Sequence, residues 1–151
     1  MNESMVNATP SMLGIGYLIV AVSTARGAIP LENASVNIRA SEEKENALSY
    51  ALLTDRDGKT EKLALPAPSV KLSQTPPNAP SSLPYARYRI DVSKEGYYRQ
   101  IYENVAVFDG ITAIQPAILI PLPETARTDS YSPGNEITFN SDSPDLSGGL
   151  S

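Results

Sequence analysis

The chain has 151 residues, with 12 Lys and Arg against 17 Asp and Glu, and it contains no His, Cys or Trp. A length of this order suits one domain. The three missing residue types exclude Ser-His-Asp and Cys-His catalysis, zinc held by Cys or His, His-ligated haem and every disulfide, leaving carboxylates as the route to acid–base or metal chemistry.

Charge is unevenly placed. Residues 14–123 hold 11 basic and 11 acidic side chains, whereas beyond them Glu124, Asp129, Glu136, Asp142 and Asp145 face Arg127 alone. A neutral body with an acidic tail has no basic stripe for phosphates, so no nucleic-acid partner is expected. It also has no Lys/Arg cluster for an anionic membrane. The opening Met1-Asn2-Glu3-Ser4 puts an acid where a secretory signal carries Lys or Arg. The most apolar run, Tyr17 to Val22, falls far short of the ~20 residues a membrane helix needs. Cytoplasmic synthesis without a signal peptide and without membrane insertion is expected.

In chain order, residues 1–13 read as a flexible leader, 14–123 as a β-sandwich domain and 124–151 as an acidic disordered tail. Tyr17 to Ser23, apolar on both parities up to Ala21, predicts a central strand buried on both faces. Ala34 to Ala40 alternates without exception, even positions apolar and odd ones polar, which predicts a half-buried strand. Leu48 to Leu53 predicts another, closed by the turn Asp55-Arg56-Asp57-Gly58. Leu65 to Pro84 is proline-rich and reads as a long extended loop. Ala86 to Ser93 alternates again, Tyr97 to Val107 predicts a long strand bent near Asn104, and Thr112 to Leu122 the last. Pro116 makes that last strand an edge or a bulge. The fold expected is all-β, a single Greek-key sandwich of about seven strands.

Several short motifs fail on their spacing. Gly58-Lys59-Thr60 would end a phosphate loop, but Leu53 stands where that motif requires Gly. Asp55 and Asp57 resemble half a calcium loop, yet Ala64 occupies the position of its bidentate Glu, so a capped turn is expected. Ser41-Glu42-Glu43-Lys44 fits S-x-x-K without its companion motifs and reads as a solvated loop. An enzyme is not expected, and neither a cofactor nor a metal is called for.

Five of the eight tyrosines, Tyr85, Tyr88, Tyr97, Tyr98 and Tyr102, fall within eighteen residues. Exposed tyrosines on a sheet stack sugars or anchor protein partners, whereas the same rings turned inward fill a core that has no Trp. Both readings stand at this point. Tyr98 and Tyr102, on one parity, are the candidate binding residues. Tyr97, following Gly96, reads as a corner residue tying a turn.

Three stretches carry a resemblance. Arg26-Gly27-Ala28-Ile29-Pro30 through Ala34-Ser35-Val36, Thr54-Asp55-Arg56-Asp57-Gly58 and Lys94-Glu95-Gly96-Tyr97 resemble the strand and turn signatures of carboxypeptidase regulatory-like, transthyretin-like domains. Leu65 to Pro68, Pro84 to Tyr88, Gly96 to Tyr98, Asn104 to Thr112 and Ile120 to Glu124 are similar to the N-terminal domain of clostridial spore cortex-lytic enzymes. That resemblance implies a non-enzymatic accessory module of the spore cortex or envelope, made in the mother cell and deposited in spore layers. Its partner would be an envelope protein or a cell-wall glycan. With no space after Glu124 for a lytic domain, the lytic activity is not carried over. A carbohydrate-binding or cell-surface module unrelated to spores is the alternative, and the sequence leaves the oligomeric state open.

Overall fold

In the computed structural model, residues 13–42, 48–69, 85–123 and 136–141 are described. They form nine strands: β1 (Leu13–Thr24), β2 (Ile29–Pro30), β3 (Ser35–Ala40), β4 (Ser49–Leu53), β5 (Leu63–Pro68), β6 (Ala86–Ser93), β7 (Arg99–Val107), β8 (Thr112–Ile118) and β9 (Glu136–Asn140). Two sheets face each other as an all-β sandwich. In the smaller one β1 is the hub, with β5 and then β2 antiparallel along one side and β8 parallel along the other. The larger runs β4-β3-β6-β7-β9, and its last pair is parallel.

The alternation read in β3 and β6 sets the core. Val36 and Ile38 stand opposite Val92 and Ile90 across the ladder, and all four are fully buried. Leu18, Val20 and Val22 of β1 and Leu65 of β5 meet them from the smaller sheet. Burying one such side chain contributes about 1.5–3 kcal/mol. β1 is buried on its inner face alone, because its odd-numbered outer residues are half-buried or exposed; the expected two-sided burial does not hold.

The stretch 54–58 is a cap between the sheets rather than a hairpin within one. The buried Thr54 hydroxyl accepts from the Ala34 amide (2.9 Å) and donates to the Leu31 carbonyl (2.6 Å). Asp55 Oδ1 accepts from the amides of Asp57 and Lys59, closing the turn. Gly58 sits at φ +79°, and a Cβ there would run into the Val22 carbonyl oxygen, so glycine is required. The chain thereby crosses from β4 in one sheet to β5 in the other.

Part of the proline-rich stretch is also strand. β5 borders the smaller sheet, where a proline need not donate to a ladder. Its Pro66 carbonyl instead accepts from the Tyr88 hydroxyl of β6 (2.6 Å), linking the two sheets. Residues 70–84 lie outside the described residues, as do the leader at 1–12 and the tail at 124–135 and 142–151. β8 is an edge, as Pro116 predicts, and ends at Ile118. The chain then crosses to the 96–98 corner: Leu119 donates to Ser23, Tyr98 to Ile120 and Leu122 to Gly96.

The largest departure is β9. Residues 136–140 fall in the stretch whose composition predicts disorder, yet they pair with β7 from Arg99 to Glu103. Ile137, Thr138 and Phe139 are suited to a strand, and Phe139 stacks on Tyr102 with ring centroids 4.9 Å apart.

Candidate functional site

The outer face of the larger sheet is built from the odd-numbered residues of β3 and β6. Ser35 stands opposite Ser93, Asn37 opposite Asp91 and Arg39 opposite Arg89, so the polar half of each alternation forms cross-strand rows. At one end of these rows lies a concavity of about 620 Å³. Asn33, Ser35 and Asn37 form one wall, Asp91 and Ser93 the floor, and Lys94, Glu95, Tyr97 and Arg99 the other wall.

Local backbone shapes both walls. Asn33 adopts φ +63°, a left-handed conformation that Asn tolerates, as the chain enters β3. Gly96 at φ +91° turns the chain from β6 toward β7, and Tyr97 bridges to Pro121. Tyr97 is half-buried, packed on one side against the core and bordering the concavity on the other.

Arg99 anchors the floor electrostatically. Its Nη2 lies 3.1 Å from Asp91 Oδ2 and its Nη1 2.6 Å from Glu136 Oε2. Arg89 approaches the same Asp91 oxygen at 3.8 Å and Glu103 at 3.9 Å. The Asp91 side chain is 18% exposed, and its Oδ1 is buried without a hydrogen-bond partner. Partly exposed pairs of this kind contribute about 0–1 kcal/mol each, so their consequence is geometric: they fix the side chains. Within the concavity two carboxylates, Asp91 and Glu95, balance two cations, Lys94 and Arg99. The surface it offers is dense in donors and acceptors with no excess of either charge.

The candidate residues Tyr98 and Tyr102 are not brought together there. Tyr102 is 8% exposed, belongs to the core, and donates its hydroxyl to Gln100 Oε1. Burial pushes that hydroxyl up to about 12. Tyr98 is half-buried beside the chain crossing at Ile120 and does not border the concavity. The cause is a bulge. Tyr88 of β6 opposes Val105 of β7 while Ile90 opposes Tyr102, so Glu103 and Asn104 share one place opposite Arg89. Asn104, at φ +60°, absorbs the extra residue and reverses the inward parity of β7. Val105 and Val107 point inward after it; Gln100 and Tyr102 point inward before it. Arg99 therefore faces outward, and Tyr97, just before the strand, borders the concavity while packing on the core. A buried Gln obscures the signal further: Gln100 is 1% exposed, its Nε2 donating to the Ile118 carbonyl (2.8 Å).

Among the described residues, no group of three or more Asp or Glu side chains gathers as metal ligands, and no helix is long and apolar enough to cross a membrane.

Catechol 1,2-dioxygenase from Acinetobacter sp. ADP1 superposes with a TM-score of 0.51 over 88% of this chain and 60% of its own, at 12% identity. The likeness is one of fold. The Bacillus anthracis TIE protein matches at a TM-score of 0.49 and 17% identity, over 72% of this chain and 17% of its own. The chain spans less than two thirds of the length of either. No protein-family profile and no curated protein sequence matches it.

Proposed function

We propose that this chain is a non-catalytic binding module whose concavity on the larger sheet takes a glycan. The observation that carries the reading is the charge-balanced floor and wall around Asp91 and Arg99, bordered by the Tyr97 ring. A sugar presents hydroxyls that both donate and accept, and a C–H face that packs on an aromatic ring. Paired carboxylate and guanidinium groups held by a network meet vicinal hydroxyls without leaving a net charge to neutralise. The Asp91 carboxylate is shared between two guanidinium groups and one of its oxygens is closed to solvent, which suits a recognition surface better than proton transfer.

We further propose cortex peptidoglycan as the glycan and an accessory role in the spore envelope, a reading that rests on the resemblance of the short stretches Gly96 to Tyr98, Asn104 to Thr112 and Ile120 to Glu124 alone. The test is retention on purified cortex peptidoglycan compared with a neutral storage polysaccharide. Retention on peptidoglycan that falls at least tenfold in Arg99→Ala and Asp91→Asn, both still folded, is the expected result. Preference for the storage polysaccharide would keep the site and discard the spore role. Equal retention of both variants would remove the site.

A further inference from the structure

Arg99 borders the concavity but is held in part from outside it. Its Nη1 donates to Glu136 Oε2 (2.6 Å), and Glu136 stands directly opposite Arg99 across the parallel β7–β9 ladder without bordering the concavity. Its Nη2 lies 3.1 Å from Asp91 Oδ2. The guanidinium is thus clamped between carboxylates of two different strands. An arginine side chain that is 31% exposed samples many rotamers when unclamped, and a ligand must then order it on binding.

The strand that supplies Glu136 is lightly held. Four of the five residues of β9 are exposed, none belongs to the buried core, and among the described residues β9 pairs with β7 alone. Besides that ladder, Glu136 ties it to Arg99, Phe139 stacks on Tyr102, and Asn140 Oδ1 accepts from Asn104 Nδ2 (3.0 Å). A strand that buries so little opens locally at a lower free energy than β3 or β6, whose alternate residues fill the core.

We infer that Glu136 is a positioning residue of the concavity, so that docking of β9 and occupation of the site are coupled. The inference rests on the glycan reading of that site. With β9 docked, Arg99 is fixed beside Asp91 before a ligand arrives. With β9 undocked, the guanidinium loses the Glu136 clamp, and binding has to order it. Linkage is reciprocal: the factor by which docked β9 raises ligand affinity is the factor by which ligand favours docked β9. A strand that served the sheet alone would show no such reciprocity.

The experiment uses the isotope-labelled full chain, with soluble cortex-peptidoglycan fragments as the probe. Saturating fragments should slow amide exchange across residues 136–140 at least threefold. Glu136→Ala, at a partly exposed position, removes the clamp; it should weaken fragment binding at least threefold and abolish that slowing, with the sandwich still folded by urea unfolding. In an Arg99→Ala background the same substitution should change affinity no further, because Glu136 acts through Arg99. Unchanged affinity in Glu136→Ala, or unchanged β9 exchange in the saturated wild type, overturns the inference; where Arg99→Ala still weakens binding, the glycan reading survives it. A loss that is equally large in the Arg99→Ala background also overturns it, since Glu136 would then meet the ligand itself. Fragments that the wild type does not bind remove the site and the coupling together.

Discussion

Arg99 lies between Asp91 of β6 and Glu136 of β9, 3.1 Å from one carboxylate and 2.6 Å from the other. One guanidinium thus joins the floor of the concavity to the last strand of the sheet. The relationship makes residues 136–140, within a stretch whose composition reads as a tail, part of the structure that holds the site.

Truncation after Glu124 should therefore be costly. It removes β9, the Phe139 ring stacked on Tyr102, and the Glu136 partner of Arg99. The aromatic stack contributes about 0.5–1.5 kcal/mol beyond its burial. With the ladder and buried area added, a loss of at least about 2 kcal/mol is expected in urea unfolding. A shortened chain as stable as the full one would mean that β9 does not hold the sheet.

Tyr102 gives a second test, because the core and binding readings of this residue diverge. Tyr102→Phe leaves Gln100 Oε1 buried without its donor, which should cost about 1–3 kcal/mol. Tyr102→Ala also opens a cavity and should cost about 3–5 kcal/mol. Chemical denaturation measures both. Loss of ligand retention at unchanged stability in either variant would place the ring in a binding surface instead.

The alkaline limb of the stability curve follows from two buried hydroxyls. Tyr88 and Tyr102 are both raised from 10.0 to about 12, first by burial and, for Tyr88, also by the neighbouring Tyr50. Below pH 10 both are protonated in the folded and unfolded chain, and their full contribution is present. Between pH 10 and about 12 the unfolded chain loses these protons first, so stability should fall by at most about 2.7 kcal/mol per pH unit. Unfolding at stepped pH, with phenolate absorbance of the native protein, reads this directly. Titration of all eight tyrosines together near 10 in the folded state would contradict it.

Much of the fold is legible in the sequence, for reasons that separate by strand. In β3 and β6 a strict alternation writes the inner and outer faces at once, and the outer half of that pattern supplies Ser35, Asn37, Asp91 and Ser93. In β7 the pattern is read through a bulge. The bend expected near Asn104 is present, but it is a bulge with Asn104 in a left-handed conformation, and a bend alone does not say that the inward parity reverses across it, so the outward placement of Arg99 is lost. β9 was hidden for a different reason. Its five residues sit among Ser, Asp, Gly and Pro, and the partners that order them, Arg99 and Tyr102, lie more than thirty positions away. β5 was obscured by prolines that an edge strand tolerates.

The concavity around Asp91 and Arg99 is most directly tested by amide chemical-shift mapping of the labelled full chain against soluble cortex-peptidoglycan fragments. Saturable shifts centred on Asn37, Asp91, Ser93, Lys94, Tyr97 and Arg99 are the predicted result. Absence of saturable shifts, or shifts centred on Ile15, Ile19 and Ile114 across the molecule, would contradict it.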